Sequence, residues 1–337
     1  MSVNETGISA QLSEAIKIEA DKINHLLTKY LDGSPEGLYN SAKYLPSLGG
    51  KRLRPFVTIT CGRMLGAAEE PLYLSALGVE LLHNFTLVHD DIIDRDDYRR
   101  GHPTVHKVYG EPIAILTGDL LFAKAFEAVI LAEKLSGSKG VAQQLVNAAI
   151  KLDEGQFLDV SFENKENVGL EQYLEMITLK TGVLYEAAAV IGGLLNHALI
   201  DEDGKLAALA EYGKNLGLCF QIRDDYLGIF GDPKKTGKAV GNDIRRGKRT
   251  AVTILASKFA DDKTLDLMST ISKQDKVDDS VLIEVVEGLK RKGIDSKCMD
   301  LASGFGLKAL DALSVFPDSE QRKLLIDLVN YAWKRDH

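Results

Sequence analysis

The chain has 337 residues, of which 45% are hydrophobic and 27% are charged, and its formal net charge at pH 7 is -8. This balance is typical of a globular protein, and the acidic charge argues against nucleic-acid binding, which needs a basic face toward phosphates. The first residues, MSVNETGISA, lack the pattern of a signal peptide, and no stretch of about 18 apolar residues is evident. We therefore expect a cytoplasmic protein without a transmembrane segment.

Apolar residues recur at three- and four-residue steps along most of the chain, which predicts helices, and strand-like alternation is almost absent. Glycine and proline groups divide the chain into about twelve predicted helices. These lie near residues 8–31, 35–47, 53–65, 71–94, 112–134, 138–164, 170–197, 203–230, 249–260, 276–293, 296–314 and 318–333. No linker or internal repeat separates two halves, so we predict an all-α fold with one domain over residues 1–337.

A first acidic group, His-Asp-Asp-Ile-Ile-Asp at 89–94, ends the helix predicted over 71–94. Asp90 and Asp94 are one helical turn apart and Asp91 lies about 100° round from Asp90, so the three carboxylates share one face. Their repulsion and the negative end of the helix dipole destabilise this arrangement unless cations compensate it. A solvated acidic helix end is the alternative, but the apolar residues around and within the group argue against it. Hard oxygen ligands indicate Mg²⁺, or Ca²⁺ in a more flexible loop.

A second acidic group, Asp224 and Asp225, comes late in the helix predicted over 203–230. Two acidic helix ends of matching design are expected to face each other. Opposed carboxylates suit several Mg²⁺ ions that in turn bind phosphate oxygens, because Mg²⁺ accepts few protein ligands. The sequence therefore predicts a magnesium-dependent enzyme that acts on diphosphate esters.

Basic segments that contain glycine are candidates for further phosphate contacts. Residues 49–55, GGKRLRP, place two glycines and three cations at a helix start. Arg99-Arg100-Gly101 follows the first acidic group, Lys180-Thr181-Gly182 interrupts an apolar helix, and Lys238 lies in the loop after the second acidic group. Arginine binds phosphate through two parallel hydrogen bonds, whereas lysine acts as a mobile point charge.

Together these motifs resemble those of the trans-isoprenyl diphosphate synthases, and among them the geranylgeranyl diphosphate synthases. The resemblance runs through GGKRLRP at 49–55, LLHNFTLVHDDIID at 81–94, RRG at 99–101, KTG at 180–182, FQIRDD at 220–225 and the loop that ends in GKRT at 250. It implies an all-α isoprenoid-synthase fold around a deep apolar cavity, in a homodimer. It also implies the reaction: an allylic diphosphate ionises, the double bond of isopentenyl diphosphate attacks the cation, and a proton is lost.

The resemblance also implies individual roles. The metal site, for three Mg²⁺ ions, would use Asp90, Asp94 and Asp224 as direct ligands, with Asp91 and Asp225 supporting them largely through water. Isopentenyl diphosphate would bind to Lys51, Arg54, His83 and Arg100. The allylic diphosphate would bind to Arg99, Lys180 and Lys238. The catalytic side chains would be Lys180, Thr181 and Gln221, since oxygens of the last two are placed to stabilise the allylic cation.

Product length is expected to depend on the helix that ends in the first acidic group. In the family, the position five residues before the first aspartate commonly lines the tunnel for the growing chain, and here it is Phe85. Thr86 beside it is small, whereas farnesyl-producing relatives often have bulk at both positions. This predicts a mainly C20 product, with C15 as the alternative. Leu82 and Gly78 continue the stripe, with room for about two more isoprene units if Phe85 is removed.

Gly228 departs from the family pattern, because many members have a third aspartate of the second acidic group at this position. The absence of this aspartate removes a water-mediated contact with the metal. Two other classes of function remain open. A terpene cyclase or a head-to-head synthase also uses aspartate-rich helices but does not need GGKRLRP, and a non-catalytic subunit of a heteromeric synthase is expected to lack one acidic group.

Overall fold

The structure, a computed structural model, describes residues 8–163, 165, 167–196, 204–231, 241–272 and 279–335. Its first half contains α1 (Ala10–Tyr30), α2 (Glu36–Ser47), α3 (Leu53–Met64), α4 (Glu69–Ile93), an antiparallel hairpin of β1 (Tyr98–Arg99) and β2 (His102–Pro103), α5 (Val105–Tyr109), α6 (Glu111–Ser136) and α7 (Val141–Glu163). Its second half contains α8 (Leu170–Ile177), a π-helical turn (Thr178–Gly182), α9 (Val183–Leu194), α10 (Lys205–Phe230), α11 (Asn242–Arg245), α12 (Ala251–Phe259), α13 (Asp262–Ser272), α14 (Asp279–Arg291), α15 (Ile294–Ala312), a 3₁₀ turn (Leu313–Val315) and α16 (Glu320–Lys334).

The predicted all-α fold is confirmed, with local differences. The helix predicted over 170–197 is interrupted by the π-helical turn, in which hydrogen bonds span five residues instead of four. Helix α13 lies where no helix is predicted, and its buried face includes the polar Thr264 beside Met268 and Ile271. The hairpin has strands of two residues, which are too short to show alternation.

Helices α4, α9 and α10 form the centre of the fold. Helix α4 packs against α6 and α9, and α10 packs against α9 and α15. Helix α9 is buried on nearly all of its faces, as expected of a helix that is apolar all round. Helix α10 contributes to both hydrophobic clusters of the protein, one built mainly from α1 to α9 and one mainly from α8 to α15.

Glycines let these central helices approach each other at the level of the backbone. A Cβ atom at Gly213 of α10 would lie 2.3 Å from the carbonyl oxygen of Tyr185 on α9. A Cβ atom at Gly192 of α9 would lie 2.3 Å from the carbonyl oxygen of Thr58 on α3. Backbone atoms cannot move aside as a flexible side chain can, so these positions fix the spacing of α3, α9 and α10.

The segment Leu170–Leu194 is long and apolar enough to cross a membrane by length and composition alone. The expectation that the sequence has no such stretch is therefore wrong. In the fold, 72% of its most apolar 18-residue window is buried inside the protein. The high apolar content is explained by the central position of α9, which must be apolar toward neighbours on all sides.

Replacing Gly213 by alanine should lower the free energy of unfolding by about 1–3 kcal/mol, because the methyl group would press on the backbone of α9. Gly304 in α15 is the matched control, since nothing lies within 4 Å of its Cβ position. Gly304→Ala should raise the free energy of unfolding by about 0.5–1 kcal/mol. Urea unfolding followed by circular dichroism measures both, and effects of the same sign would contradict the close helix contact.

Candidate active site

The first acidic group lies at the C-terminal end of α4, as predicted. Burial raises the pKa of Asp90, and the neighbouring Asp94 adds to this effect. Burial also raises the pKa of Asp91 to about 6, although Arg99 donates to its Oδ1 through Nε and Nη2 at 2.7 Å each. Asp94 accepts a hydrogen bond from Lys248 Nζ at 2.8 Å. Carboxylates whose pKa is raised in this way are stabilised by any further cation that binds beside them.

The hairpin of β1 and β2 directs two consecutive arginines to different places. Its turn has positive φ at Arg100 (54°) and Gly101 (77°), a conformation that arginine rarely adopts. As a result Arg99 folds back onto Asp91, whereas Arg100 Nη1 donates to the carbonyl oxygen of Leu45 in α2 at 3.3 Å. The two predicted diphosphate subsites therefore each receive one arginine from the same hairpin.

Side chains predicted to bind isopentenyl diphosphate meet beside the GGKRLRP segment. Arg54 Nη1 lies 3.2 Å from His83 Nε2, and the Arg54 guanidinium lies 4.5 Å from the centroid of the Tyr185 ring. Lys51 Nζ donates to the hydroxyl of Tyr331 in α16 at 2.6 Å. The start of α3 thus presents two of its cations on the side where α4, α9 and α16 converge.

The electrostatics of this region favour an anion. Burial lowers the pKa of His83 well below its ordinary value, and Arg54 and Arg100 add to the effect, so the imidazole is neutral and its Nε2 accepts from Arg54. Burial and the neighbouring Arg52 lower the pKa of Arg100 to about 10. Cations lower each other's pKa where too few acids balance them. A diphosphate would supply the missing negative charge.

Arg52 belongs to the same segment but has a structural place. It precedes α3 with φ at 49°, and 3% of the residue is exposed. Its guanidinium donates to three partners: Glu80 Oε1 at 2.7 Å, the carbonyl oxygen of Pro46 at 2.5 Å and Asn24 Oδ1 at 2.9 Å. Because its donors are matched by protein acceptors, Arg52 ties α1, α2 and α4 together, and ligand binding by its neighbours stays a prediction.

The π-helical turn presents Lys180 and Thr181, and such turns are frequent at functional sites. Lys180 Nζ donates to Asp159 Oδ2 of α7 at 2.5 Å, and Thr181 Oγ1 donates to Gln221 Oε1 of α10 at 2.9 Å. Helix α7 comes this close because it has glycine at Gly155, where a Cβ atom would lie 2.4 Å from the backbone nitrogen of Lys180. Since Thr181 gives its proton to Gln221, the lone pairs of its oxygen remain for an electron-poor group.

The second acidic group lies near the end of α10, and its two aspartates have different environments. The side chain of Asp224 is 51% exposed and pairs with Arg335, which follows α16. Asp225 is buried, and burial raises its pKa to about 7. It accepts hydrogen bonds from three protein groups: Tyr173 Oη at 2.6 Å, Gln221 Nε2 at 3.0 Å and the backbone nitrogen of Ala251 at 2.8 Å. Asp225 therefore fixes α8 and α12 to α10, and its contact with a metal through water stays a prediction.

The loop after α10 reaches the first acidic group. Lys248 Nζ donates to Asp94 Oδ2, and Arg246 pairs with Asp96. Because the backbone nitrogen of Gly241 in this loop donates to the carbonyl oxygen of Gly228 on α10 at 3.1 Å, the two ion pairs link the end of α4 to the end of α10. Lys238, which is predicted to bind the allylic diphosphate, lies outside the described residues.

Phe85, the predicted end of the product tunnel, belongs to a row of aromatic rings. The centroid of its ring lies 5.0 Å from that of Phe122 on α6, which lies 4.8 Å from that of Phe126. The hydroxyl of Thr86 donates to the carbonyl oxygen of His83 at 2.8 Å, as is common for threonine within a helix. Helix α6 therefore supplies the wall that Phe85 faces.

The stripe below Phe85 is filled, so the expectation of room for two more isoprene units along it is wrong. Leu82 is 0% exposed, and a Cβ atom at Gly78 would lie 2.7 Å from Val129 Cγ1 and 2.8 Å from the carbonyl oxygen of Ala125. The missing side chain of Gly78 serves the close packing of α4 on α6 and does not leave open space. The roles of Phe85, Thr86 and Leu82 in product length stay predictions.

Some side chains of the site are not singled out by the sequence motifs. The sequence does contain a signal for Asp159. It closes the run Gly-Gln-Phe-Leu-Asp at 155–159, where a carboxylate follows apolar residues on a helix, just as the first acidic group follows apolar residues on another helix. Tyr331 and Arg335 contact the site from the last helix and from the residue after it. Nothing in their local sequence indicates this, because only the folded arrangement of α16 beside α3 and α10 brings them there.

The acidic groups suit a hard divalent cation. Their candidate ligands are carboxylate oxygens, and Asp91 Oδ2 is buried without a hydrogen-bond partner. Within the described ranges, no three His, Cys, Asp or Glu side chains already converge on one point. An ion held here would therefore complete its shell with water and phosphate oxygens, which is how Mg²⁺ is usually bound.

Comparison with known proteins identifies the class. Residues 35–289 match the family model described as polyprenyl synthetase. The chain is 41% identical to the geranylgeranyl diphosphate synthase of Saccharolobus solfataricus over 308 residues, which cover 89% of this chain and 90% of that protein. The chain therefore belongs to the polyprenyl synthetase family, as the motifs predict.

Two solved structures share its fold. One is the geranylgeranyl pyrophosphate synthetase of Pyrococcus horikoshii Ot3, with a TM-score of 0.88, 39% identity and coverage of 96% of this chain and 98% of that one. The other is a polyprenyl synthase from Caulobacter crescentus CB15 complexed with calcium and isoprenyl diphosphate, with a TM-score of 0.88, 30% identity and coverage of 99% and 100%. The fold is that of the isoprenyl diphosphate synthases.

Replacing His83 by glutamine should flatten the pH dependence of stability below pH 6.5. The pKa of His83 in the folded protein lies well below 6.5, so in that range mainly the unfolded chain takes up the proton. The parent protein thus loses stability as the pH falls through 6.5, by at most about 1.4 kcal/mol per pH unit from this group. Glutamine keeps an acceptor for Arg54 without a titrating proton. Urea unfolding at several pH values measures the difference, and parallel curves for the two proteins would contradict a neutral His83.

Proposed function

We propose that this chain is a Mg²⁺-dependent prenyltransferase that condenses isopentenyl diphosphate with an allylic diphosphate (dimethylallyl, geranyl or farnesyl) to give mainly geranylgeranyl diphosphate, with release of diphosphate. The observation that carries this proposal is the meeting of two acidic helix ends and two separate groups of cations at one site. The family and the names of the relatives support a chain-elongating prenyltransferase.

The allylic diphosphate is assigned to the first acidic group and the π-helical turn. Arg99 and Lys180 are each held by an acid, Asp91 and Asp159, so both cations are in place before the substrate binds. Negative charge grows on the diphosphate as its bond to the allylic carbon breaks. Fixed cations stabilise that charge more strongly in the transition state than in the ground state, which accelerates ionisation. The oxygen of Thr181, oriented by Gln221, faces the positive carbon in this assignment.

Isopentenyl diphosphate is assigned to Lys51, Arg54, His83 and Arg100. This group gathers beside Tyr185, and in this assignment the double bond of isopentenyl diphosphate is held toward the allylic carbon. A terpene cyclase has a single diphosphate substrate and does not need this second anion site. The departing diphosphate is the proposed acceptor of the proton.

The metal is assigned to Asp90, Asp94 and Asp224, with three Mg²⁺ ions per site. When bound, the ions neutralise the allylic diphosphate and make it a better leaving group. The calcium in the Caulobacter crescentus structure supports a divalent-cation site of this kind. A purely non-catalytic subunit is expected to lack one acidic group. Here both groups are present, and only the third aspartate of the second group is replaced, by Gly228, which argues against such a subunit.

A homodimer is proposed, with α6 and α7 as the contact. Their outer faces expose large apolar side chains: Ile113, Ile115, Leu116, Ile130, Leu131 and Leu135 of α6, and Ile150, Phe157 and Val160 of α7. Apolar patches of this kind mark interaction surfaces. Analytical ultracentrifugation distinguishes dimer from monomer.

A single domain is proposed because α10 joins both hydrophobic clusters. A cytoplasmic location stays a prediction.

Asp90→Ala should abolish the release of diphosphate from farnesyl diphosphate when isopentenyl diphosphate is present as the second substrate. In the absence of Mg²⁺ its thermal stability should equal or exceed that of the parent, because a buried carboxylate that Asp94 repels is removed. Asp311→Ala, on the exposed face of α15, is the control and should change neither property. Near-normal activity of Asp90→Ala at saturating Mg²⁺ would contradict the metal assignment.

Phe85→Ala should lengthen the product beyond C20, and Thr86→Phe should shorten it toward C15. Because Gly78 and Leu82 are packed by α6, the space gained is limited to that of the lost ring, so we expect about one additional isoprene unit. Thr86→Val is the control, since it removes the hydroxyl without adding bulk and should leave the product unchanged. Mass spectrometry of the products measures this, and one common product from all variants would rule out α4 as the determinant of length.

A further inference from the structure

A buried ion pair joins the GGKRLRP segment to the middle of α4. Arg52 Nη1 lies 2.7 Å from Glu80 Oε1, and the two side chains are 1% and 3% exposed. Asn84, one helical turn further along α4, donates to the same oxygen through Nδ2 at 3.1 Å. Arg52 is held in addition by Asn24 and by the carbonyl oxygen of Pro46. Hydrogen bonds therefore fix both charges of the pair in place.

The glycine at residue 50 brings this ion pair next to a cation assigned to isopentenyl diphosphate. A Cβ atom at Gly50 would lie 3.0 Å from Arg52 Nη1 and 3.0 Å from Arg100 Nη2. Both guanidinium groups therefore border the space that a side chain at Gly50 would fill. Two like charges this close repel each other, and an anion that binds beside them relieves the repulsion.

The charges of the pair act on the residues assigned to isopentenyl diphosphate. Burial lowers the pKa of Arg100, Arg52 adds to this effect, and Glu80 opposes it. Burial also lowers the pKa of His83, and Arg52 is again one of the cations that add to the effect. Glu80 lies three residues before His83 on α4, so the two side chains are neighbours on the helix surface. The pair is thus within electrostatic reach of the site, although its own hydrogen bonds are directed at other protein groups.

We propose that the Glu80–Arg52 pair sets the affinity of the isopentenyl diphosphate site through its charges, without touching the substrate. The inference rests on the proposed function, since it concerns the same site. Arg52 adds a fixed positive charge beside Arg100 and strengthens the attraction for the diphosphate. Glu80 offsets part of that charge and keeps the affinity below the value that the cations alone would give. Tighter binding of the substrate gives no faster turnover once the site is saturated, so the pair controls KM and leaves kcat unaffected.

The two members of the pair should have opposite effects on the KM for isopentenyl diphosphate, measured with the full chain at saturating farnesyl diphosphate and Mg²⁺. Glu80→Gln keeps an oxygen for Arg52 and removes only the charge, so it should lower this KM by about three- to tenfold. Arg52→Gln removes the cation and leaves the carboxylate of Glu80 unpaired, so it should raise this KM by about tenfold or more. In both variants the KM for farnesyl diphosphate and kcat should change by less than about twofold.

A pair with a merely structural role would behave differently, since loss of either partner would then raise the KM for isopentenyl diphosphate. Glu19→Gln is the matched control. Glu19 is also buried and also pairs with an arginine of α3, because its Oε1 lies 2.8 Å from Arg63 Nη1. Arg63 lies in the last turn of α3, at the opposite end of that helix from the GGKRLRP segment. Glu19→Gln should therefore leave both KM values unchanged.

Removal of both charges completes the test. The KM for isopentenyl diphosphate of Glu80→Gln/Arg52→Gln should lie between those of the two single variants, because no net charge is added or lost. A Glu80→Gln variant whose KM for isopentenyl diphosphate equals or exceeds that of the parent would overturn the proposal, and this result decides even where Arg52→Gln fails to fold. Failure of the parent chain to condense isopentenyl diphosphate with farnesyl diphosphate would instead overturn the proposed function and this inference with it.

Discussion

Carboxylates gathered at the negative ends of two helices are the constraint on which the rest of the site depends. The ends of α4 and α10 carry partial negative charge, and burial raises the pKa of Asp90, Asp91 and Asp225. Cations from three other parts of the chain form ion pairs with aspartates at these helix ends: Arg99 from the hairpin, Arg246 and Lys248 from the loop after α10, and Arg335 from the C-terminal segment. The acidic groups thereby organise the loops around them, and the same repulsion favours the binding of divalent cations.

A stack of cations and rings connects the cations assigned to isopentenyl diphosphate with the second acidic group. The guanidinium of Arg54 lies over the ring of Tyr185, this ring stacks on Phe220 at 5.6 Å with an angle of 5° between the planes, and the guanidinium of Arg335 lies over Phe220. The stack depends on the contact of α9 with α10 that Gly213 permits. Helix packing is therefore what sets the separation between the cations assigned to isopentenyl diphosphate and the second acidic group.

Much of this could be predicted from the sequence, because its signals are local. The helical period and the glycine and proline breaks locate most helices, and the acidic and basic motifs mark Asp90, Asp224 and Arg99. What the sequence could not provide depends on packing. Gly78 shows the limit well, since a missing side chain is compatible with open space or with a close helix contact, and only the fold decides between them. The return of Arg335 to Asp224 joins segments 111 residues apart in the chain, and no spacing rule connects them.

Both acidic groups are proposed to act on the same ions. The most direct measurement is a crystal structure with Mn²⁺ and inorganic diphosphate, in which anomalous scattering locates the metal. If they do, more than one metal peak should lie in the space between the groups, with Asp90 and Asp94 on one side and Asp224 on the other. Peaks confined to one acidic group, with Asp224 still paired to Arg335 and no metal near it, would contradict a shared metal site.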